Sequence, residues 1–459
     1  MNPGTGINFS RHRWWQNVEG YGRLIRSSFR KVSNYHNDIM KNHKLFFSFL
    51  LVFLGALNPV SASATAYGGT VIDASTKKPI EGAFVTLGNT VVRSDSNGKF
   101  QIDGSGDRLG IRAYGHSRLE VAASILTNGT PILLDSFIPK AIYLSFFGIG
   151  NKQLRESALS LIRDTELNAM VIDIKGDRGK IAFKSAIPLA AEVGAQEIIT
   201  IKDINSLVRN LHAKGIYTIA RIVVFKDDAL ALERPDLAVK TAGGAIWKDR
   251  EGLAWTNPFS KTVWDYNIDL AVEAARAGFD EIQFDYVRFP DTTGLVYPVP
   301  NTEKNRVDAI SGFFSEARKK LIPYNVFLSA DIFGYVLWNT NDTYIGQKLE
   351  NLAADLDYIS PMLYPSGFKF GLPGYSNPVH NPGQIVYLSL EKAIKRTGLS
   401  AIRFRPWLQA FRDYAFDRTP FQEEAIRAQI DAAGNFGSDG WMLWNPRNIY
   451  TKNGLRAKR

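Results

Sequence analysis

Residues 278–290 read Gly278-Phe279-Asp280-Glu281-Ile282-Gln283-Phe284-Asp285-Tyr286-Val287-Arg288-Phe289-Pro290. An amphipathic helical pattern over 264–277 precedes this segment, and glycine is the residue type that most often ends a helix. The part at 282–287 is short and rich in β-branched and aromatic residues, which predicts a strand. Asp285 stands near the carboxyl end of this strand, and Arg288 follows it directly. This order is typical of a β/α barrel, whose reactive groups lie at the carboxyl ends of the strands.

The alternation of strands and helices continues on both sides of this segment. Candidate strands lie at 141–146, 170–174, 217–224, 281–285, 326–331, 358–363, 406–410 and 440–444, with helical patterns between them. Over residues 139–449 this pattern predicts an α/β fold, a (β/α)8 TIM-type barrel. A doubly wound open sheet is the alternative. It is disfavoured because Gly148-Ile149-Gly150 lacks the third glycine of a dinucleotide-binding loop and the later acid.

Polar or aromatic residues stand at most of the predicted strand ends. Three of them are carboxylates and are the candidate catalytic residues: Asp173, Asp285 and Asp331. The others are candidate substrate-binding residues: Arg221, Tyr286, Arg288, Tyr364, Gln409, Trp407 and Trp444. Burying such a ring of polar groups costs free energy unless a ligand complements it, so we predict a polar cavity at the rim. Aromatic rings suit stacking on sugar rings, and filling the barrel core is their alternative role.

Two of the carboxylates predict a specific chemistry. Asp285 and Asp331 follow adjacent strands, which lie about 4.8 Å apart, and a pair of carboxylates is what acid/base hydrolysis of a glycosidic bond needs. We expect Asp285 to be the nucleophile or base, held ionised by Arg221 and Arg288. Asp331 has apolar sequence neighbours and is the candidate acid, while Asp173 is able to replace either. A structural ion pair between Asp285 and Arg288 is the alternative.

Other chemistries have little support in the sequence. The chain contains no cysteine, which excludes disulfides and thiolate nucleophiles. The predicted barrel contains two isolated histidines, His212 and His380, so neither a zinc site nor a Ser-His-Asp arrangement is expected. We therefore predict no cofactor and no metal. An oxygen-only magnesium or calcium site formed by the three aspartates is the alternative, and it would make the protein a metal-dependent hydrolase.

The positive charge of the chain lies at its two ends. The formal net charge is +10, and all of it comes from residues 1–44 and 452–459. Because the remainder is neutral, a nucleic-acid-binding face is not expected. Residues 450–459 are interpreted as a basic tail.

The N-terminal region has the parts of a secretory signal peptide. An apolar run over 45–57 follows Lys41 and Lys44 and precedes Ala62-Ser63-Ala64. We predict a signal peptide at 40–64 and an exported protein, periplasmic or secreted, with no stable membrane insertion after cleavage. An N-terminal membrane anchor is the alternative, although the run is short for a membrane span. Residues 1–39 would then be a doubtful extension preceding a true start at Met40.

Residues 66–136 predict a small all-β domain, because short strands are separated by Gly, Asn and Asp turns. Two segments carry a resemblance to the carboxypeptidase regulatory-like domain: Gly69-Thr70-Val71-Ile72-Asp73 with Pro79-Ile80-Glu81-Gly82-Ala83-Phe84-Val85-Thr86-Leu87, and Ser94-Asp95-Ser96-Asn97-Gly98-Lys99-Phe100. The resemblance implies a transthyretin-like β-sandwich. No group of catalytic residues is visible in this segment.

The predicted barrel resembles a glycosyl hydrolase-like domain family of uncharacterised bacterial proteins. Besides residues 278–290, the segments that carry the resemblance are Ile219-Ala220-Arg221-Ile222-Val223-Val224-Phe225-Lys226-Asp227, Trp255-Thr256-Asn257-Pro258, Ser329-Ala330-Asp331-Ile332-Phe333-Gly334, Ser360-Pro361-Met362-Leu363-Tyr364-Pro365-Ser366, Arg405-Pro406-Trp407-Leu408-Gln409 and Gly440-Trp441-Met442-Leu443-Trp444-Asn445. The resemblance implies a TIM-type barrel and a glycosidase acting on a polysaccharide. It also implies a histidine after Ser366, where this chain has Gly367. A non-catalytic carbohydrate-binding barrel is therefore the alternative function.

Overall fold

The computed structural model describes residues 65–128 and 130–458. The predictions for residues 1–39 and for the signal peptide at 40–64 lie outside the described residues. Within the described ranges, no helix is long and apolar enough to cross a membrane.

The first part of the described chain is all-β, as predicted. Its seven strands are Thr65–Asp73, Phe84–Leu87, Thr90–Arg93, Lys99–Gly104, Arg108–Arg112, Leu119–Ala122 and Ile132–Leu134. They form one sheet of three strands and one of four. Val71, Val85 and Ile111 are among the fully buried side chains of a hydrophobic core of its own. The kinship to the carboxypeptidase regulatory-like domain stays a prediction.

The rest of the chain forms a closed barrel of parallel strands, which confirms the TIM-type prediction. In chain order the strands are β1 Lys140–Leu144, β2 Ala169–Lys175, β3 Tyr217–Val223, β4 Glu281–Asp285, β5 Phe327–Phe333, β6 Tyr358–Met362, β7 Trp407–Gln409 and β8 Trp441–Trp444. Each strand pairs with its sequence neighbour, and β8 pairs with β1 to close the barrel.

Helices connect the strands and surround the barrel. The longer ones are α1 Lys152–Asp164, α2 Ile204–His212, α3 Lys261–Ala277, α4 Glu303–Leu321, α5 Pro382–Thr397 and α6 Glu423–Phe436, and short ones are Phe146–Gly150, Pro188–Glu192, Asp228–Glu233 and Leu349–Leu352. The side chain of Ser260 accepts a hydrogen bond at the start of α3, and Gly278 ends that helix with φ 105°. A left-handed conformation of this kind favours glycine, so Gly278 sets the direction in which the chain enters β4.

The alternation of side chains along β4 brings Asp285 to the rim. Ile282 and Phe284 point to the helices, where the Phe284 ring lies 4.9 Å from that of Phe313 in α4. Glu281, Gln283 and Asp285 therefore point into the barrel at successive levels. Glu281 lies at the amino-terminal end, where it accepts hydrogen bonds from the hydroxyl groups of other strands, and Asp285 is the last residue of β4.

The all-β part packs against the amino-terminal end of the barrel. The ring of Tyr114 lies 5.7 Å from that of Tyr358, which begins β6. The Arg118 Nε donates to Asp280 at 3.1 Å, just before β4. Buried Arg112 lies 3.9 Å from Asp357. The sandwich thus covers the end of the barrel opposite to the predicted site.

Candidate active site

A buried guanidinium joins the three predicted carboxylates. The Nη1 of Arg221, on β3, donates to Asp173 Oδ1 at 2.5 Å. Its Nε and Nη2 donate to Asp285 Oδ2 at 3.0 and 2.5 Å. The same Nε lies 3.7 Å from Asp331 Oδ2. All four side chains are buried and come from the neighbouring strands β2 to β5, so the barrel closure itself assembles the cluster.

Each carboxylate also accepts a hydrogen bond from a residue other than Arg221. The Tyr143 hydroxyl donates to Asp173 Oδ2 at 2.6 Å, and the Trp407 Nε1 donates to Asp331 Oδ1 at 2.6 Å. The backbone N–H of Tyr286 donates to Asp285 Oδ1 at 2.5 Å. Tyr286 has φ 50°, a left-handed conformation that is uncommon for a non-glycine residue and is often found at functional sites. The cluster is therefore held in one arrangement.

The environments of the carboxylates differ in charge. Burial raises the pKa of Asp331 well above its ordinary value, the nearby charge of Asp285 raises it further, and Arg221 acts in the opposite sense. Burial also raises the pKa of Asp173. Burial alone would lower the pKa of Arg221, but the carboxylates of Asp173 and Asp285 hold it well above the ordinary value. The cluster therefore combines a permanent cation with two carboxyl groups whose pKa is raised, and the rise is the greater for Asp331.

The cluster forms the floor of an open cavity of about 440 Å³. A second cavity of about 200 Å³ shares four of its lining residues: Asp285, Tyr286, Met362 and Tyr364. The two cavities therefore form one cleft that passes over Asp285. From there the first cavity extends to Phe147 and Pro446, and the second extends to Phe333, Tyr335 and Tyr414.

The aromatic residues of the first cavity have different positions. The rings of Trp444 and Tyr143 stack with their centroids 4.0 Å apart, and the Arg221 guanidinium lies 5.0 Å from the Trp444 ring. Trp407 is only 1% exposed and lies at the base of the cavity. Phe147, from the short helix after β1, is 60% exposed at the cavity edge.

The barrel region has a recognisable family. A family described as "Putative glycosyl hydrolase domain" matches residues 141–450. The chain belongs to this family. No curated protein matches the chain.

Several solved structures are similar to the chain. The PgaB (BpsB) glycoside hydrolase domain from Bordetella bronchiseptica is 14% identical, with 70% of this chain and 100% of that chain covered and a TM-score of 0.52. A hypothetical protein from Ruminiclostridium thermocellum is 38% identical over 41% of this chain and 96% of its own, with a TM-score of 0.38. A class V chitinase from Nicotiana tobaccum is 10% identical over 69% and 96%, with a TM-score of 0.41. The likeness to the Bordetella domain shows the fold.

Most of the residues predicted for the glycosyl hydrolase site line the first cavity. These are Asp173, Arg221, Asp285, Tyr286, Asp331, Tyr364, Trp407 and Trp444. Gln409 is buried and lines neither described cavity. Its side-chain amide contacts Ser366, and its backbone N–H donates to the Gln429 side chain, so it fixes the chain after β6 to α6. Its role in substrate binding stays a prediction. Trp407 contacts the site through its N–H on Asp331.

Arg288 also departs from its predicted position. It lines the second cavity and makes no ion pair with Asp285 in the described part of the chain, because its guanidinium lies over the rings of Trp255 and Tyr286. Among the described residues, Arg221 alone forms an ion pair with Asp285. The alternative of a structural Asp285–Arg288 ion pair is likewise not observed.

Sequence reasoning missed Tyr143 and Phe147. Tyr143 donates to Asp173 and stacks on Trp444, so it belongs to the cluster although it precedes the end of β1. The signal was its inward position on the strand, two residues after Ala141. Phe147 lies in the short helix after β1, and its exposure carries no sequence signal.

Gly367 lines the second cavity. A Cβ atom placed on it would lie 3.8 Å from the Tyr364 Cβ and 4.0 Å from the Tyr414 hydroxyl, which are ordinary contact distances. A Cβ atom would therefore fit here without strain. Because Gly367 has no side chain, the space that a side chain would occupy is part of the second cavity.

The described residues contain no group of three or more His, Cys, Asp or Glu side chains arranged to hold a metal ion. The three rim aspartates instead face the guanidinium of Arg221, which takes the central position that a bound cation would need.

The protonation of Asp331 predicts a pH-dependent effect of Asp331→Asn. The folded state holds a proton that the unfolded chain releases above pH ~4, so the contribution of Asp331 to stability falls as pH rises toward its raised pKa. Asparagine resembles the protonated acid and keeps an acceptor for Trp407. We expect the variant to melt higher than the parent at neutral pH, with a smaller difference near pH ~4.

The measurement is the melting temperature of both proteins across this pH range. Asp177→Asn is the control, because Asp177 lines the same cavity but is partly exposed. An Asp331→Asn effect of the same size at every pH would contradict the protonated state.

Proposed function

We propose that this protein is a glycoside hydrolase that cleaves a polysaccharide with Asp285 as nucleophile and Asp331 as general acid. The observation that carries the proposal is the pair of carboxylates on adjacent strands, one beside a permanent cation and the other with a raised pKa, both lining an open cleft. Two carboxyl groups whose environments differ in this way are the requirement for acid and base roles at one pH.

The positions of the two acids favour a retaining reaction. Asp285 Oδ2 and Asp331 Oδ2 lie 3.0 and 3.7 Å from the same Nε of Arg221, which limits the distance between them. Retaining enzymes have carboxyl groups about 5–5.5 Å apart, and inverting enzymes need about 6.5–9.5 Å to admit a water molecule. The shared nitrogen supports the shorter separation.

In this mechanism Asp331 gives its proton to the glycosidic oxygen as the bond to the anomeric carbon breaks. An oxygen of Asp285 attacks that carbon and forms a glycosyl ester. Asp331, now ionised, takes a proton from water, and the resulting hydroxide equivalent releases the sugar from Asp285. Trp407 orients the acid, and Asp173 with Tyr143 holds Arg221 in place as positioning residues.

The shape of the cleft supports an extended substrate. The first and second cavities meet over Asp285, so sugar units are able to bind on both sides of the bond that breaks. Exposed rings are available at both ends: Phe147 in the first cavity and Tyr414, 56% exposed, in the second. Such rings stack on the apolar faces of sugars. The signal-peptide pattern at 40–64 supports action outside the cytoplasm on a polysaccharide of the envelope or the surroundings.

The test is to incubate the full chain with neutral and acidic polysaccharides and to measure new reducing ends. We expect cleavage of at least one polymer, and proton NMR of the first products should show the anomeric configuration of the substrate. Products of inverted configuration would contradict the nucleophile role of Asp285. A protein that binds glycans and cleaves none would instead be the carbohydrate-binding barrel, the second candidate, which the glycine at position 367 favours.

A further inference from the structure

The second cavity has an unusual charge. The residues that line it include one cation, Arg288, and one acid, Asp285. The carboxylate of Asp285 is already engaged by Arg221 and by the N–H of Tyr286. The other residues that line the second cavity are largely aromatic and include Phe333 and Tyr414. The free charge of this cavity is therefore positive.

Arg288 differs from two lysines near the cleft, each of which is paired with an acid. Lys226 lies 2.8 Å from Glu251 and Lys180 lies 2.7 Å from Glu197. In the described ranges no carboxylate is within ion-pairing distance of Arg288, although its side chain is only partly exposed. Partial burial of an unpaired cation costs free energy that an anion would recover.

The protein holds the Arg288 guanidinium in a fixed orientation. Its centre lies 4.9 Å from the Trp255 ring and 5.2 Å from the Tyr286 ring, so cation–π attraction fixes it over both rings. Its Nη1 donates to the Phe289 carbonyl at 3.1 Å. The other N–H groups have no acceptor in the described part of the chain. Nε and Nη2 together present the fork that matches a carboxylate.

We propose that Arg288 binds a carboxylate of the substrate, so that the polysaccharide is acidic and a uronic acid occupies the second cavity. This inference rests on the proposed function, because it identifies the substrate class of the same cleft. The planar fork matches the two oxygens of a carboxylate bidentately. A sulfated probe tests whether a sulfate ester binds in its place.

The test compares binding of matched hexasaccharides to the full chain by calorimetry. The probes are hexamers of galacturonate and mannuronate and hyaluronan hexasaccharide, each with its carboxyl-methylated form, together with chitohexaose, cellohexaose and a sulfated, carboxylate-free hexasaccharide. We expect at least one uronate to bind tenfold or more tightly than its methyl ester. Arg288→Gln should remove this preference, and Arg288→Lys, which keeps the charge without the fork, should retain part of it.

Arg412→Gln is the matched control. Arg412 also donates to one backbone carbonyl but lines neither described cavity, so the preference should persist in this variant. Melting temperatures confirm that each variant is folded. Four results would each overturn the inference. The protein could bind acid and ester equally, bind no uronate, or bind the sulfated probe selectively, or the preference for the acid could survive in Arg288→Gln. Cleavage of a neutral glycan without uronate binding would overturn the uronate inference and leave the proposed hydrolase function standing. Uronate binding without cleavage would support the uronate inference and overturn the hydrolase function.

Discussion

Asp285→Asn is expected to lower the rate of polysaccharide cleavage by at least about a thousandfold, the scale seen when a catalytic unit loses a member. Asparagine keeps the size of the side chain and an acceptor for the Tyr286 N–H, but it lacks the charge that attacks the anomeric carbon. Glycan binding should remain, because the aromatic walls of both cavities are unchanged. The measurement is the hydrolysis rate together with ligand affinity on one purified variant.

The same substitution should leave thermal stability unchanged or raise it. Asp285 is one of three carboxylates around Arg221, so its removal leaves the guanidinium paired with Asp173. It also removes the negative charge that lies beside Asp331. Proteins accept such local electrostatic strain at sites that carry out chemistry, and relieving it often stabilises the fold.

Asp177→Asn is the control for the cleavage experiment. Asp177 lines the same cavity but is partly exposed, and its nearest cation, Lys226, is also bound by Glu251. We expect near-parent activity from it. If Asp285→Asn cleaved at a rate close to the parent, Asp285 would not be the nucleophile, and Asp173 with Asp331 would become the candidate pair.

Arg221→Leu is expected to destabilise the protein by about 3–5 kcal/mol at neutral pH, the range for breaking a buried ion pair. Leucine approximates the apolar part of the side chain, so the main loss is the positive charge. Without it, Asp173, Asp285 and Asp331 remain buried together with no cation among them. Chemical denaturation of parent and variant gives the difference in the free energy of unfolding.

The stability lost in Arg221→Leu should be smaller at acidic pH than at neutral pH. In the variant, burial and mutual repulsion favour protonation of the three carboxyl groups in the folded state, so their folded pKa values rise. Stability is then lost as pH rises above the ordinary carboxyl pKa of about 4. We therefore expect a smaller penalty near pH ~4.5 than near pH ~7.5.

Arg178→Leu is the control, since Arg178 lines the same cavity and is exposed. It should change the free energy of unfolding little at either pH. An Arg221→Leu penalty that is the same at both pH values would show that Arg221 contributes through packing alone, and the electrostatic account of the cluster would fail.

The order of residues along the chain predicts the barrel and the level of its site. Strand and helix periodicities are local properties, so they indicate β4 and its place after α3 without any knowledge of the fold. Because all strands of a β/α barrel run parallel, the last residue of each strand reaches the same rim. Asp173, Asp285 and Asp331 could therefore be predicted as neighbours, and they are.

The partner of each side chain was decided by the tertiary structure. Arg288 is three residues from Asp285, yet Arg221, from the neighbouring strand, makes the ion pair, because the chain turns sharply at Tyr286. Trp407, on β7, donates to Asp331 on β5 from two strands away.

The sequence by itself determined the fold, the rim and the types of side chain placed there. The tertiary structure decided which of them touch, since hydrogen bonds and ion pairs depend on strand register, side-chain direction and distance within a few ångströms. None of these is a local property of the chain. For the same reason, no sequence pattern indicates that Arg112 would lie buried beside Asp357, or that the sandwich would cover the far end of the barrel.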